Sequence, residues 1–389
     1  MSDQEQLRTT PLTEWHLENG AKMAEFAGYS MPINYPSGAL KETKAVRENA
    51  GMFDISHMRP IVVKGTLARA FLNFIDTRDL ASMEPGDAKY GIVCLNNGEA
   101  IDDIIVYESP FSTKPSETFI VISNASNGTR VYEHLRQVKS DYSLLNSQVQ
   151  IEDGLDQFGF ISLQGPKAKS ILQKAIGSEN QIPKKYYSCQ YGMVFGYFAL
   201  LAKTGYTGEE GYEILCPKLD TIEIWTHFLE VGEEDGLVAC GLASRDTLRL
   251  EAGMPLFGHE MDKNHNPIIA GLGKYVDFNK EGYFLGKGIL EKVRDGASKK
   301  PNEYFNAFIM EKGRVPRHGN VIYLMLMGET RPVGKLTSAG FSPTLQKNIA
   351  MGYTDHSFLP GTTVLIDIGG QMYPATITKL PFYKREKKQ

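Results

Sequence analysis

Three segments carry residue types that could do chemistry together. In IDDIIVY (101–107) two acids stand at the mouth of an apolar strand, and two-residue alternation puts Asp103, Ile105 and Tyr107 on one face and Asp102 on the other. One carboxylate can then face a pocket; a turn that holds both acids is the other reading of the same letters. TGYTGEEGYEI (204–214) reads as a Gly-punctuated hairpin in which Tyr206 and Glu213 stand seven residues apart. It contains no GxGxxG, so it is not a dinucleotide cradle. GLASRDTLRLEAG (241–253) reads as a helix with Arg245 and Arg249 one turn apart on one face and Gly253 as its stop. One of two such arginines is ordinarily a surface salt-bridge partner. An Asp, a Glu, an Arg and several Tyr suit a planar ligand with donor and acceptor edges.

Other combinations fail on spacing. His259-Glu260 followed by His265 is two residues too long for a zinc-protease helix, whose two rings must share a face. Gly282-Tyr283-Phe284-Leu285-Gly286-Lys287 has one residue too few for a phosphate loop and ends in Gly288, where a Ser or Thr should bind magnesium. Asp54, Ser56 and His57 are neighbours in the chain, whereas a hydrolytic triad is assembled from separate segments. Cys94, Cys189, Cys216 and Cys240 lie far apart with no CxxC pair, which fits buried thiols in a reduced compartment and no metal site.

These segments must be positioned by a sizeable scaffold. The chain has 389 residues, enough for two or three domains, with 38 Gly, 19 Tyr and 19 Phe. That load of turns and aromatics fits short strands and aromatic-lined pockets better than a helix bundle. A formal charge of −4 lacks the excess of cations a nucleic-acid partner would need. No apolar run reaches the ~20 residues of a membrane span, and the N-terminus, MSDQEQLRTTPL, resembles neither a secretory nor a transit segment. A cytoplasmic protein is expected.

Ile61 to Val63, Gly65 and the helical stripe Leu67, Phe71, Leu72, Ile75 form a strand–Gly–helix unit. The same grammar returns with Ile161 and Leu163, Gly165, Pro166 at a first-turn helix position, and Ala168, Ile171, Leu172, Ala175. This suggests a duplicated α+β module. A helix is expected over 40–50 with Gly51 as its stop, a strand-like run in FDISHM (53–58), and a hairpin around Asn96-Asn97-Gly98. SPFSTKPSET (109–118) reads as a surface loop before a strand at 119–123, and a helix is expected over 221–231 with Asp220 as N-cap. The charged stretch 291–304 is the best domain boundary. Beyond it the chain is strand-rich, with a hairpin around Gly369-Gly370, and KREKKQ is a solvated tail.

FDISHM, IDDIIVY, Gln164-Gly165-Pro166, TGYTGEEGYEI, RDTLRLEAGMPLFGHEMD (245–262), FLGKGIL (284–290) and TSAGFSPTLQKNIAMGY (337–353) resemble, in order, the motifs of glycine cleavage system aminomethyltransferases, the T-protein family. The resemblance spans nearly the whole chain. It implies an α+β fold, a three-domain cloverleaf around a central folate site, with two related α+β domains and a small C-terminal β-barrel. The corresponding boundaries are 1–52 with 140–290, then 53–139, then 295–389.

The implied chemistry is transfer of a methylene group from an aminomethyl-lipoyl arm of the H-protein to tetrahydrofolate, releasing ammonia and the dihydrolipoyl H-protein. Tetrahydrofolate is the co-substrate; no metal or nucleotide is implied. Asp103 matches the key catalytic acid, placed to orient the folate and stabilise positive charge at its N5/N10 edge. Glu213 matches the pterin-recognition acid and Arg245 the ligand-contacting arginine. Met58, Tyr90, Tyr107, Tyr186, Tyr187 and Tyr206 match positions that wall the folate, with Asn124 and Tyr383 as further contacts. Arg59-Pro60, Ala243-Ser244 and Pro267-Ile268-Ile269-Ala270-Gly271 depart from the family pattern at motif edges and bear on fine substrate choice. A sulfonium demethylase on the same scaffold is the alternative. A folate-binding iron–sulfur assembly protein is disfavoured, because its KGCY-GQE segment is here GYFLGKGIL.

Overall fold

The structure is a computed structural model that describes residues 6–297 and 303–385. The start of the N-terminal segment, the middle of the 291–304 boundary and most of the KREKKQ tail lie outside the described residues.

Both strand–Gly–helix units form. Strand Arg59–Gly65 leads to helix Ala68–Ile75, and strand Phe158–Gln164 leads through Gly165 to helix Ala168–Ala175. The helices bury residues at identical offsets: Ala68, Phe71, Leu72 and Ile75 in one, Ala168, Ile171, Leu172 and Ala175 in the other. Gly65 and Gly165 sit at φ 135° and 130°, and a Cβ on either would meet main-chain atoms of Gln148 or Asn49, so only glycine makes these turns. Pro166 stands in the turn itself, one residue before the Lys167 N-cap, and not inside the helix.

The unit of Phe158–Gln164 builds a six-stranded sheet in the order Cys189–Val194, Tyr197–Ala202, Gly211–Pro217, Phe158–Gln164, Ala50–Asp54, Leu237–Cys240, antiparallel except for the last pair. The unit of Arg59–Gly65 builds a second, five-stranded antiparallel sheet in the order Ala88–Cys94, Ala100–Glu108, Glu117–Ser123, Arg59–Gly65, Gln150–Asp153. Each sheet buries one face under its own helices, through Ile171 and Trp225 in the first and Phe71 and Leu135 in the second. The other two faces meet, Phe53, Phe160, Leu200 and Leu215 packing on Tyr107, Ile120 and Ile122. The result is helices, sheet, sheet, helices.

Strand pairing cuts across the expected division of the first two units. Gln150–Asp153 is hydrogen-bonded to Arg59–Gly65, and Met261, Leu272, Phe284 and Leu290 pack on Ile92, Cys94 and Ala100. Residues 150–153 and much of 257–290 therefore lie with the five-stranded sheet. Gly51 is also not a helix stop. Helix Ala39–Glu48 ends before it, and Gly51 sits in a buried strand where a Cβ would strike the side chains of Val46 and Cys240. FDISHM finishes that strand with Phe53 and Asp54 and then turns. Helix Thr221–Gly232 and the loop before strand Glu117–Ser123 form where expected, although Asp220 makes no side-chain cap bond.

The C-terminal part is a closed barrel of six strands, Tyr304–Met310, Lys347–Thr354, Glu329–Ser342, Val321–Leu326, Thr363–Asp367 and Met372–Thr378, filled by Phe308, Leu336, Ile366 and Ile377. Helix Leu242–Glu251 joins it to the sheets. Arg249, buried, is not a surface partner: it bonds Asp246, Glu260 and the barrel's Ser338. Glu251 accepts from Arg47 on one side and from Ser342 and Thr344 of the barrel side on the other. All four cysteines are buried free thiols. Among the described residues no helix is long and apolar enough to cross a membrane.

Candidate active site

A cavity opens in the layer between the two sheets. Register explains its acidic wall. Asp103 pairs with Ile92 and Ile105 with Tyr90, so Tyr90 is the diagonal neighbour of Asp103 on the cavity face. Asp102 points the other way and is fully buried, held by the Asn124 N–H (2.8 Å), the Asn124 side-chain amide (2.9 Å) and Asn127 (2.9 Å). The same Asn124 amide donates to Asp103 Oδ1 at 3.0 Å, so one side chain ties the two carboxyls together. Burial pushes Asp103 up to about 6, while Tyr90 and Asn124 favour its ionised form. Burial and the neighbouring Asp103 charge push Asp102 up too, against the amide donors of Asn124 and Asn127.

Across the cavity, Glu213 is fixed between its strand neighbours Ala202 and Ser162. Its Oε2 accepts from the hydroxyls of Thr204 (2.5 Å) and Tyr107 (3.3 Å), which leaves Oε1 uncommitted. Burial raises its pKa, opposed by Thr204, Arg245 and Tyr107. Arg245 reaches the cavity from its helix with its guanidinium 5.1 Å from the Tyr206 ring centre, and Nη1 is buried with no partner. Tyr206 is pinned by its own hydroxyl, which donates to the Pro255 carbonyl.

Met58, Tyr90, Asp103, Asn124, Tyr187, Tyr206, Glu213 and Arg245 thus come together as cavity lining. Three other candidates do not line it. Tyr107 shares the face of Asp103 but lies deeper, buried behind Glu213 as its donor. Tyr186 is half exposed and meets the edge of Tyr187 at 4.6 Å. Tyr383 stacks on Arg47 at 4.2 Å, among the ion pairs that hold the barrel. The reading of single residues missed Thr204, although it opens the TGYTGEEGYEI segment. It also missed Tyr275, which packs on Tyr90 at 4.6 Å, and Leu256 and Phe257, which carried no local signal.

A second chamber adjoins the first, and Met58, Asn124, Tyr206 and Arg245 line both. Beyond them it is lined by His57, Phe26 and Asp246. Two differently lined spaces therefore meet at one partition. Such a site can bring two partners to one reacting centre from different sides. Its first chamber offers flat apolar walls, a carboxylate with a free oxygen and a guanidinium with an unpaired N–H, the donor and acceptor set that a pterin-like ring requires.

Two α+β layers around a two-sided cavity, with a C-terminal barrel seated beside them, are the arrangement that comparison with known proteins identifies. Residues 12–280 match the profile described as GCVT N-terminal domain, and residues 305–384 match the glycine cleavage T-protein C-terminal barrel domain. The chain is 40% identical to the aminomethyltransferase of Streptomyces avermitilis, with 98% of each covered, and 38% identical to that of Streptomyces coelicolor, with 98% of this chain and 99% of the relative covered. The solved glycine cleavage system aminomethyltransferase T of Bartonella henselae superposes with a TM-score of 0.85 at 29% identity, covering 97% of this chain and 99% of that one. The chain belongs to the glycine cleavage T-protein family. It is an enzyme of the aminomethyltransferase type.

Proposed function

We propose that the chain transfers the methylene of an aminomethyl group, carried on the lipoyl arm of H-protein, to tetrahydrofolate, with release of ammonia and dihydrolipoyl H-protein. The observation that carries this reading is the placement of Asp103 and Glu213 on opposite sheets lining one cavity, in a chain similar over its whole length to aminomethyltransferases. Tetrahydrofolate, when bound, supplies the two nitrogens that take up the one-carbon unit. Glu213, oriented by Thr204 and Tyr107, accepts the pterin's amino and ring N–H groups through its free oxygen. Arg245 meets the same ring or steadies Glu213. Met58, Tyr90, Tyr187 and Tyr206 form its walls and exclude water. Tyr107 acts through Glu213, and Tyr186 and Tyr383 act as supports of Tyr187 and Arg47.

Asp103 lines the first chamber beside Asn124, which lines both, and its carboxylate stabilises the positive charge that develops on transfer and takes part in the proton movement that lets ammonia leave. Asn124 holds it there. The second chamber gives the carrier arm a route that does not pass the folate. The reading places the enzyme in the cytoplasm, on the composition and the reduced cysteines. A sulfonium demethylase would share the pterin contacts and would act on dimethylsulfoniopropionate.

Ammonia release should require both aminomethyl-loaded H-protein and tetrahydrofolate. Release from the loaded carrier that ignores folate, or activity only on the sulfonium compound, would refute the assignment. Glu213→Gln should weaken tetrahydrofolate binding about tenfold, because charge-assisted bonds worth ~1.5–3 kcal/mol become neutral ones. Calorimetric titration of the two proteins checks this, and equal affinities would remove Glu213 from ring recognition.

A further inference from the structure

His57 is 3% exposed and lines the second chamber, directly before Met58 in the chain. Its ring is gripped edge-on by Phe26 at 5.6 Å and Tyr29 at 6.3 Å. Nδ1 is buried and has no hydrogen-bond partner. Asp54, the nearby acid, is already committed to Thr10, His16 and the Ser56 N–H. An orphaned buried N–H is rarer and costlier than an orphaned lone pair, so the tautomer that leaves the lone pair on Nδ1 and the proton on Nε2 is favoured. The ring is then a fixed N–H donor facing a chamber in search of an acceptor.

The charges around that chamber say which acceptor fits. Arg245 and Arg249 line it, with Asp246 and His259 as the other titratable groups; Arg249 is tied to Asp246 and Glu260, whereas Arg245 Nη1 is unpaired. One neutral donor, His57, and one cationic side chain, Arg245, therefore share the wall of the same space. Their field favours an anion that develops there, as preorganised donors do in an oxyanion hole. Burial and the Arg245 charge hold His57 well below the usual imidazole range, so it enters as a neutral donor.

We propose that His57, beside Arg245, forms a thiolate-stabilising subsite for the sulfur of the carrier arm. This rests on the transfer reaction given above. There, the carbon–sulfur and carbon–nitrogen bonds of the aminomethyl thioether break, one electron pair staying on sulfur and the other on the departing nitrogen, and the carbon forms bonds to the two folate nitrogens. Of the two folate N–H protons one ends on sulfur and one on the amino group, which leaves as neutral ammonia, so no oxidant or reductant is needed. His57 Nε2–H and Arg245 hold the sulfur while it is anionic. His57 is thus a leaving-group residue, where Asp103 serves the carbon and nitrogen side.

The test is titration of thiolate absorbance near 240 nm for free dihydrolipoamide bound to the enzyme, without folate. The bound thiol should show a thiolate fraction on the order of tenfold above the free compound at mildly alkaline pH. His57→Gln, which keeps an N–H donor, should retain most of that gain, and His57→Leu should lose it. Tetrahydrofolate affinity should be unchanged in both variants. A bound thiol that titrates like the free one in the unaltered enzyme overturns the subsite, as does equal behaviour of the Leu variant and the parent, or loss in Gln as complete as in Leu. Failure of the transfer reading would appear separately, as absence of folate-dependent ammonia release.

Discussion

Asp103→Asn is expected to lower turnover by about 10²–10⁴-fold, the span that a positioned acid or base contributes. Tetrahydrofolate affinity should stay within about threefold, because the anchor proposed for the pterin, Glu213 with Thr204, lies on the other sheet. The substitution keeps shape and keeps an acceptor for the Asn124 amide at Oδ1. It removes the charge and turns the second oxygen into an amide donor. The pH dependence gives a second reading. Burial raises Asp103 to about 6, so the carboxylate is lost as pH falls through that region, and activity should rise with pH across it and level off above. Because Asn124 bridges both acids, the limb belongs to the Asp102–Asp103 pair, and in Asp103→Asn it should flatten. Single-turnover rates from pH 5 to 8 check both points. A variant with the parent's rate ends the assignment, and an unchanged acid limb moves the titration to another group.

Arg47→Met should cost about 3–5 kcal/mol of stability, the usual loss when one member of a buried ion pair is removed. Arg47 donates to Glu251 Oε2 through Nε (3.0 Å) and Nη2 (2.8 Å), and through Nη1 to Glu209 (2.9 Å) and the Thr207 carbonyl (2.7 Å). The three side chains are 6%, 1% and 0% exposed. Without the guanidinium two carboxylates remain in low dielectric, Glu251 with the Ser342 and Thr344 hydroxyls and Glu209 with the Tyr383 ring nearby. Urea unfolding should show a lower midpoint, and adding Glu209→Gln and Glu251→Gln should recover part of it. An unchanged midpoint would mean that the network contributes no net stability.

Where the chemistry depended on local pattern, the letters were readable. Strand alternation assigns Asp103 and Asp102 to opposite faces, helical spacing sends Arg245 and Arg249 to one side, and the glycines after two strands mark turns that no other residue makes. What the pattern does not carry is depth. Tyr107 has the right face yet ends two residues beyond Ile105, under Glu213, because the facing sheet fills the space above it. Nor does it carry long-range pairing. Nothing in residues 150–153 says that they complete a sheet begun ninety residues earlier, and nothing in Tyr275 says that it will meet Tyr90. The T-protein motifs supplied the identities of the site residues; the structure supplied which of them touch.

Helix Leu242–Glu251 presents Arg245 to the cavity, and one turn on, Arg249 and Glu251 to the barrel. One rigid rod therefore has two landlords. Its axial rotation and height are set jointly by a ligand pocket and by the seating of a whole domain, so neither can drift without dragging the other. The barrel is in this sense part of the pocket's foundation, although its own strands supply none of the first chamber's lining.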